Sequence, residues 1–109
     1  MSDFDLSKLY SSKELYPREI EACGETFTVH VKRLPAVKLR QFQQDVISED
    51  RETRARAGFD ALVQSIRTED DKPFAKAANY EQFDKDAIEA LMKAFTSVNG
   101  TKAEELGNV

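Results

Sequence analysis

Between Arg18 and Pro35 the chain reads "REIEACGETFTVHVKRLP". Phe27, Val29 and Val31 alternate with Thr26, Thr28, His30 and Lys32. Ahead of them, Ile20 and Ala22 alternate with Glu19, Glu21 and Cys23. A period of two sends alternate side chains to opposite faces of a strand. Two such runs around a single glycine predict a β-hairpin. Gly24-Glu25 suits a two-residue turn, because glycine takes the positive φ of a type II′ first position. That turn pairs Ala22 with Phe27 and Ile20 with Val29 on one face, and sets Glu19 opposite His30 on the other. A slip of one residue would scramble both faces. Two strands are not stable alone, so the apolar face must cover something else.

Helical stripes supply the cover. Pro35 suits the first position of a helix, and Leu39, Phe42 and Val46, with Ile47 beside them, recur at three- and four-residue steps. Ser48 or Asp50 can cap a second helix, whose stripe is Ala55, Phe59, Leu62, Val63 and Ile66, with Arg51, Glu52, Arg54 and Arg56 on the solvated side. Gly58 inside it costs about 1 kcal/mol relative to Ala, which predicts either a close packing contact or a mobile segment. "NYEQF" predicts a short helical turn. Asp84 can cap the last helix, with Ile88, Leu91, Met92, Phe95 and Val98 as its stripe and Asn99-Gly100 as its end. Phe59 and Phe95 are expected in the core. The sum is an α+β fold, an N-terminal β-hairpin packed on three to four α-helices. Residues 17–100 form the single domain. Residues 1–16 are expected as a flexible arm that packs on its own domain or docks on another subunit, and 101–109 as a polar tail.

Bulk properties narrow the function. A chain of 109 residues fits one domain. A net charge of −4 argues against a general nucleic-acid binder. The single cysteine, Cys23, cannot form an internal disulfide, which suits a reducing compartment. No apolar run approaches the ~20 residues that span a bilayer, and "MSDFDLSKLY" lacks the basic start and apolar stretch of a signal peptide. The reading is a soluble, cytosolic protein.

Chemical motifs are weak. In "IRTEDDKPFAKAANY", Glu69, Asp70 and Asp71 are contiguous, whereas a calcium loop needs alternating acids, a central Gly and a distal Glu. Pro73 supports a solvated turn instead. His30 is the only histidine, and a Cys23–His30 dyad would place its members too far apart along the ladder, with no third orienting group. There is no phosphate loop. Lys32, Arg33, Lys38, Arg40, Arg51, Arg54 and Arg56 crowd the middle third, as a solvated face or as an electrostatic docking surface for an acidic partner. No catalytic residue, metal ligand or cofactor is expected, and no enzyme.

Three segments carry a family resemblance. "FTVHVKRLPAVKLRQF" resembles the opening strand and basic helix of the tail assembly chaperones of long-tailed bacteriophages. "LVQSIRTEDDKPFA" resembles their apolar helix end, acidic turn and Pro-Phe pair, and "DAIEALMKAFTSVNG" their closing helix with its Asn-Gly end. Asp71-Lys72 stands where that turn usually has a glycine. The resemblance spans residues 25–100. It implies a non-catalytic protein of tail morphogenesis in the infected host's bacterial cytoplasm. Such a protein binds the tape measure protein, keeps its apolar helices soluble, helps recruit tail tube protein and is absent from the mature virion. A longer form made by ribosomal frameshifting would diverge in the tail after Gly100. Self-association is possible, and neither nucleic acid nor membrane is expected as a partner. Apolar residues not needed by the expected core become the candidate partner-binding set: Leu6, Leu9 and Tyr10 in the arm, and Phe74, Tyr80 and Phe83 around the acidic turn. The rival classes are a structural tail or capsid component retained in the virion, and a small nucleic-acid-binding regulator.

Overall fold

The computed structural model of the protein describes residues 5–10 and 13–100. The expected tail over 101–109, with any frameshift junction in it, lies outside the described residues, as do 1–4, 11 and 12 of the expected arm.

The hairpin forms as strands β1, Leu15–Ala22, and β2, Glu25–Lys32. Strand β1 begins inside the segment read as an arm. The turn differs from expectation. Its central residues are Cys23 and Gly24, at φ 54° and 77°, the two positive values of a type I′ turn. The ladder is therefore displaced by two residues: Ala22 faces Glu25, Ile20 faces Phe27, and Glu19 faces Thr28 while His30 faces Pro17. An even displacement keeps every side chain on its face, so the predicted apolar face survives. The observed register sets Ile20 against Phe27 and Tyr16 against Val31. Both are the aromatic–aliphatic pairs that stabilise sheets, and the expected register would have lost them.

A third strand, β3, was not foreseen. Ile66–Arg67 pairs antiparallel with β2, through Val31↔Ile66 and His30↔Arg67, so the sheet order is β1-β2-β3. Ile66 is fully buried there, not on a helical stripe. The chain then reverses over the acidic residues. Asp71 N–H donates to the Thr68 carbonyl at 3.0 Å, Thr68 N–H to Lys72 at 2.8 Å, and Arg67 bridges to Pro73. This is a three-residue hairpin loop with its last residue left-handed, Asp71 at φ 58°. Glu69, Asp70 and Asp71 are exposed as expected of a solvated turn.

Helix α1, Ala36–Val46, starts one residue after Pro35, which sits at the N-cap with ψ 153°. Helix α2, Arg51–Ser65, is capped by Asp50, whose carboxylate accepts from Thr53 N–H at 3.1 Å, and Ser48 Oγ accepts from Asp50 N–H at 3.1 Å. Its buried face is Ala57, Ala61, Leu62 and Ser65. Ala55 is exposed, and Phe59 is half-buried at the core's rim. Both depart from the expected stripe. Small residues let α2 approach its neighbours, and Ser65 tolerates burial because its hydroxyl donates to the Ala61 carbonyl at 2.7 Å. A Cβ built on Gly58 meets nothing within 4 Å, so no close packing contact explains that glycine.

Helix α3, Ala77–Gln82, is the short turn expected there. Helix α4, Lys85–Asn99, is capped by Asp84 and ends on Gly100 at φ 63°. It buries Leu91, Ala94, Phe95 and Val98, with Ile88 and Met92 half-buried. The helices cover the sheet face that carries Ile20, Val29 and Val31, and Phe42 meets Phe95 edge-on at 5.3 Å between centroids. The Asn99 carboxamide ties α4 to the β2–α1 link, accepting from Leu34 N–H at 2.9 Å and donating to the Lys32 carbonyl at 3.3 Å.

Candidate functional site

The titratable groups singled out in the sequence are not assembled into a reaction centre. Cys23 lies exposed in the turn, its thiol 4.0 Å from the Asp84 carboxylate. His30 lies five residues beyond Glu25 on β2, roughly 17 Å along the strand. The Asp71 carboxylate accepts from Arg67 Nε at 2.8 Å and from Lys32 Nζ at 3.3 Å, while its carbonyl accepts from Arg67 Nη2 at 2.8 Å. The Arg67 guanidinium, helped by Lys32, holds the Asp71 carboxyl below the usual carboxylate range. This triad clips the β3 turn to β2. Among the described residues no three metal-ligating side chains converge, and no helix is long and apolar enough to cross a membrane.

The six candidate partner residues divide into two groups. Tyr80 is 1 % exposed and belongs to the core. Its hydroxyl donates to the Leu62 carbonyl at 3.4 Å, and burial pushes its phenol up to about 12, with Arg67 pulling weakly the other way. Phe83 is half-buried with its ring edge-on to Tyr80 at 5.3 Å, and Phe74 is half-buried and stacked on Phe27 at 5.9 Å. Tyr80 is thus spent on its own core, while Phe74 and Phe83 pack against the domain with part of each ring still at the surface. The unforeseen β3 and its turn fold Phe74 back onto the sheet, while Tyr80 reaches α2 and carries Phe83 with it.

Leu6, Leu9 and Tyr10 are 64 %, 71 % and 73 % exposed. Leu6–Leu9 is a 3₁₀ turn whose N-cap, Asp5, accepts from Ser7 N–H at 3.0 Å. These apolar side chains stand on the surface of the described residues. Val37 and Ile47, at the two ends of α1, are comparably exposed. Val37 could have been read from its place off the α1 stripe.

Four of the seven basic residues singled out in the middle third are engaged within the domain. Arg54 donates to the Ser48 carbonyl at 2.7 Å, Arg33 to the Val98 carbonyl at 3.4 Å, and Lys32 pairs with Asp71. Arg56 pairs with Glu52 one turn away.

Sequence reading also missed a groove between the outer edge of β1 and α4. It measures about 590 Å³ and is lined by Arg18–Glu21 on one side and by Glu89, Ala90, Lys93, Ala94 and Ser97 on the other. Arg18 spans one end, donating to Ser97 Oγ at 3.0 Å and to the Pro17 carbonyl at 2.8 Å. No local pattern announces this site, because its walls are 70 residues apart in sequence from Glu19 to Glu89. Comparison with protein-family models, curated proteins and solved structures returns no match.

Proposed function

We propose that the protein is a tail assembly chaperone of a long-tailed bacteriophage. It binds the tape measure protein in the host cytoplasm, keeps that protein's apolar helices soluble, helps recruit tail tube subunits, and leaves before the particle is complete. The observation that carries this reading is the exposed apolar group Leu6, Leu9 and Tyr10 beside a self-contained α+β domain. A chaperone of this kind needs apolar surface to match a partner helix and enough charge to remain dispersed. The chain's 33% charged residues supply the second requirement. Further support comes from the three segments that carry the resemblance. They fold in order as strand and helix, as helix end and acidic turn, and as a closing helix with an Asn-Gly end.

The test is co-expression with the long helical protein encoded just downstream, followed by affinity purification. Solubilisation and co-purification are expected, with loss of both in a Leu6→Asp/Leu9→Asp variant that still folds. A partner that stays insoluble, or mass spectrometry that finds the protein in purified particles, overturns the reading.

A further inference from the structure

The β1 edge and α4 together have the form of a receptor for an extended peptide. The type I′ turn makes Ala22–Glu25 a hydrogen-bonded pair. Pairs alternate along an antiparallel ladder, so Ile20 and Arg18 also bond across to β2. Leu15, Pro17, Glu19 and Glu21 therefore direct their main-chain groups away from β2, and of these Glu19 and Glu21 line the groove. Pro17 stands at an outward position, where its missing N–H costs the ladder nothing. Its outward carbonyl is already bonded by Arg18. Among the described residues Glu19 and Glu21 each offer an N–H and a carbonyl, and neither side chain forms an ion pair.

We propose that this edge binds an extended segment of a partner protein with a basic–apolar–basic pattern, added as a fourth strand beside β1. The register fixes the chemistry. A residue placed opposite Glu19 or Glu21 shares that residue's face of the sheet, so Lys or Arg is favoured there. The residue between them points to the other face, where α4 presents Ala90 and Ala94, and an apolar side chain fits over those small residues. Main-chain bonds provide the attachment, and alternate side chains provide the selectivity. A second copy of this chain is a poor occupant. Antiparallel pairing of two β1 edges centred on Glu19 sets glutamate against glutamate and Glu21 against a Pro17 that cannot donate. The inference does not depend on the tail-assembly reading, since any partner with such a segment satisfies it.

The test is a titration of the isotope-labelled protein with the synthetic peptide Ac-GKVKVKVG-NH2, followed by amide chemical shifts. Saturable shifts confined to residues 18–21 and 89–97 are expected. The Glu19→Lys/Glu21→Lys variant, altered only at exposed positions, should weaken binding about tenfold, as reversal of two cross-strand charge pairs implies. A peptide of the same sequence, N-methylated on alternate residues to block the edge-facing N–H groups, should not bind. Equal binding of the N-methylated peptide, or of the peptide with Glu in place of Lys, overturns the proposal. So do shifts centred on Leu6–Tyr10, and so do shifts at residues 19–21 that depend on protein concentration alone.

Discussion

Replacing Asp71 by glycine and, separately, by alanine dissects the turn that reverses β3. Asp71 sits at φ 58° and its carboxylate bridges Arg67 and Lys32. The Asp71 side chain is 41 % exposed, so solvent screening limits each pair to roughly 0–1 kcal/mol. Left-handed backbone costs an ordinary residue about 1–2 kcal/mol, less for Asp and nothing for Gly. Asp71→Ala loses both pairs and carries the full left-handed cost in place of the smaller one Asp bears, for a loss of about 1–3 kcal/mol. Asp71→Gly loses the same pairs but sheds that cost. The added freedom of its unfolded chain, about 0.4–1 kcal/mol, leaves it about 1 kcal/mol more stable than the alanine variant. With an m-value of about 1–3 kcal/mol/M, the two urea midpoints at pH 7 should differ by roughly 0.3–1 M. The pairs also carry a pH signature. The folded carboxyl is held low, chiefly by Arg67. Their stabilisation is therefore present above the ordinary carboxylate pKa and is lost as pH falls through the lower folded value. The advantage of the wild type over Asp71→Ala should shrink in acid, while the glycine–alanine gap persists. Equal midpoints for the two variants would refute a left-handed requirement at this position.

Other outcomes are equally direct. Phe95 is fully buried against Phe42, and Phe95→Ala should cost about 3–5 kcal/mol, so an unchanged melting temperature removes Phe95 from the core. Gly58→Ala should stabilise by about 0.5–1 kcal/mol, because the new methyl group meets nothing within 4 Å, and a lowered urea midpoint contradicts that geometry. Of the three tyrosines, Tyr80 is held neutral by burial up to about 12. Its contribution is present below the unfolded value of about 10 and is lost between about 10 and 12 as the unfolded state ionises first. Ultraviolet titration should show one phenol ionising late, and Tyr80→Phe should abolish that late phase. A late phase retained in Tyr80→Phe assigns it elsewhere.

Much of the fold was legible locally. Period-two alternation marked both hairpin strands and their faces. The α4 stripe with its Asp84 and Gly100 ends was read to within a residue, because capping and left-handed glycine are properties of a few adjacent residues. The turn was misread because Gly24 satisfies either a type II′ or a type I′ turn, and only the pairing of Tyr16 with Val31 and Ile20 with Phe27 selects between them. Likewise Ile66 continues a helical stripe by spacing alone. It becomes a strand because β2 already exposes an edge for it. The α2 face rotated toward Ala57 and Ala61, since close approach of helices favours small residues over the larger Phe59. The candidate set followed suit: exposed Leu6, Leu9 and Tyr10 had no core to join, whereas Phe74, Tyr80 and Phe83 were drawn inward by β3 and α2. Sequence alone thus determined the two hairpin strands and their faces, the helices and the ends of α4, all set by short-range sterics and side-chain chemistry. Tertiary structure decided register, the third strand and the groove between β1 and α4, because each depends on surfaces brought together from distant parts of the chain.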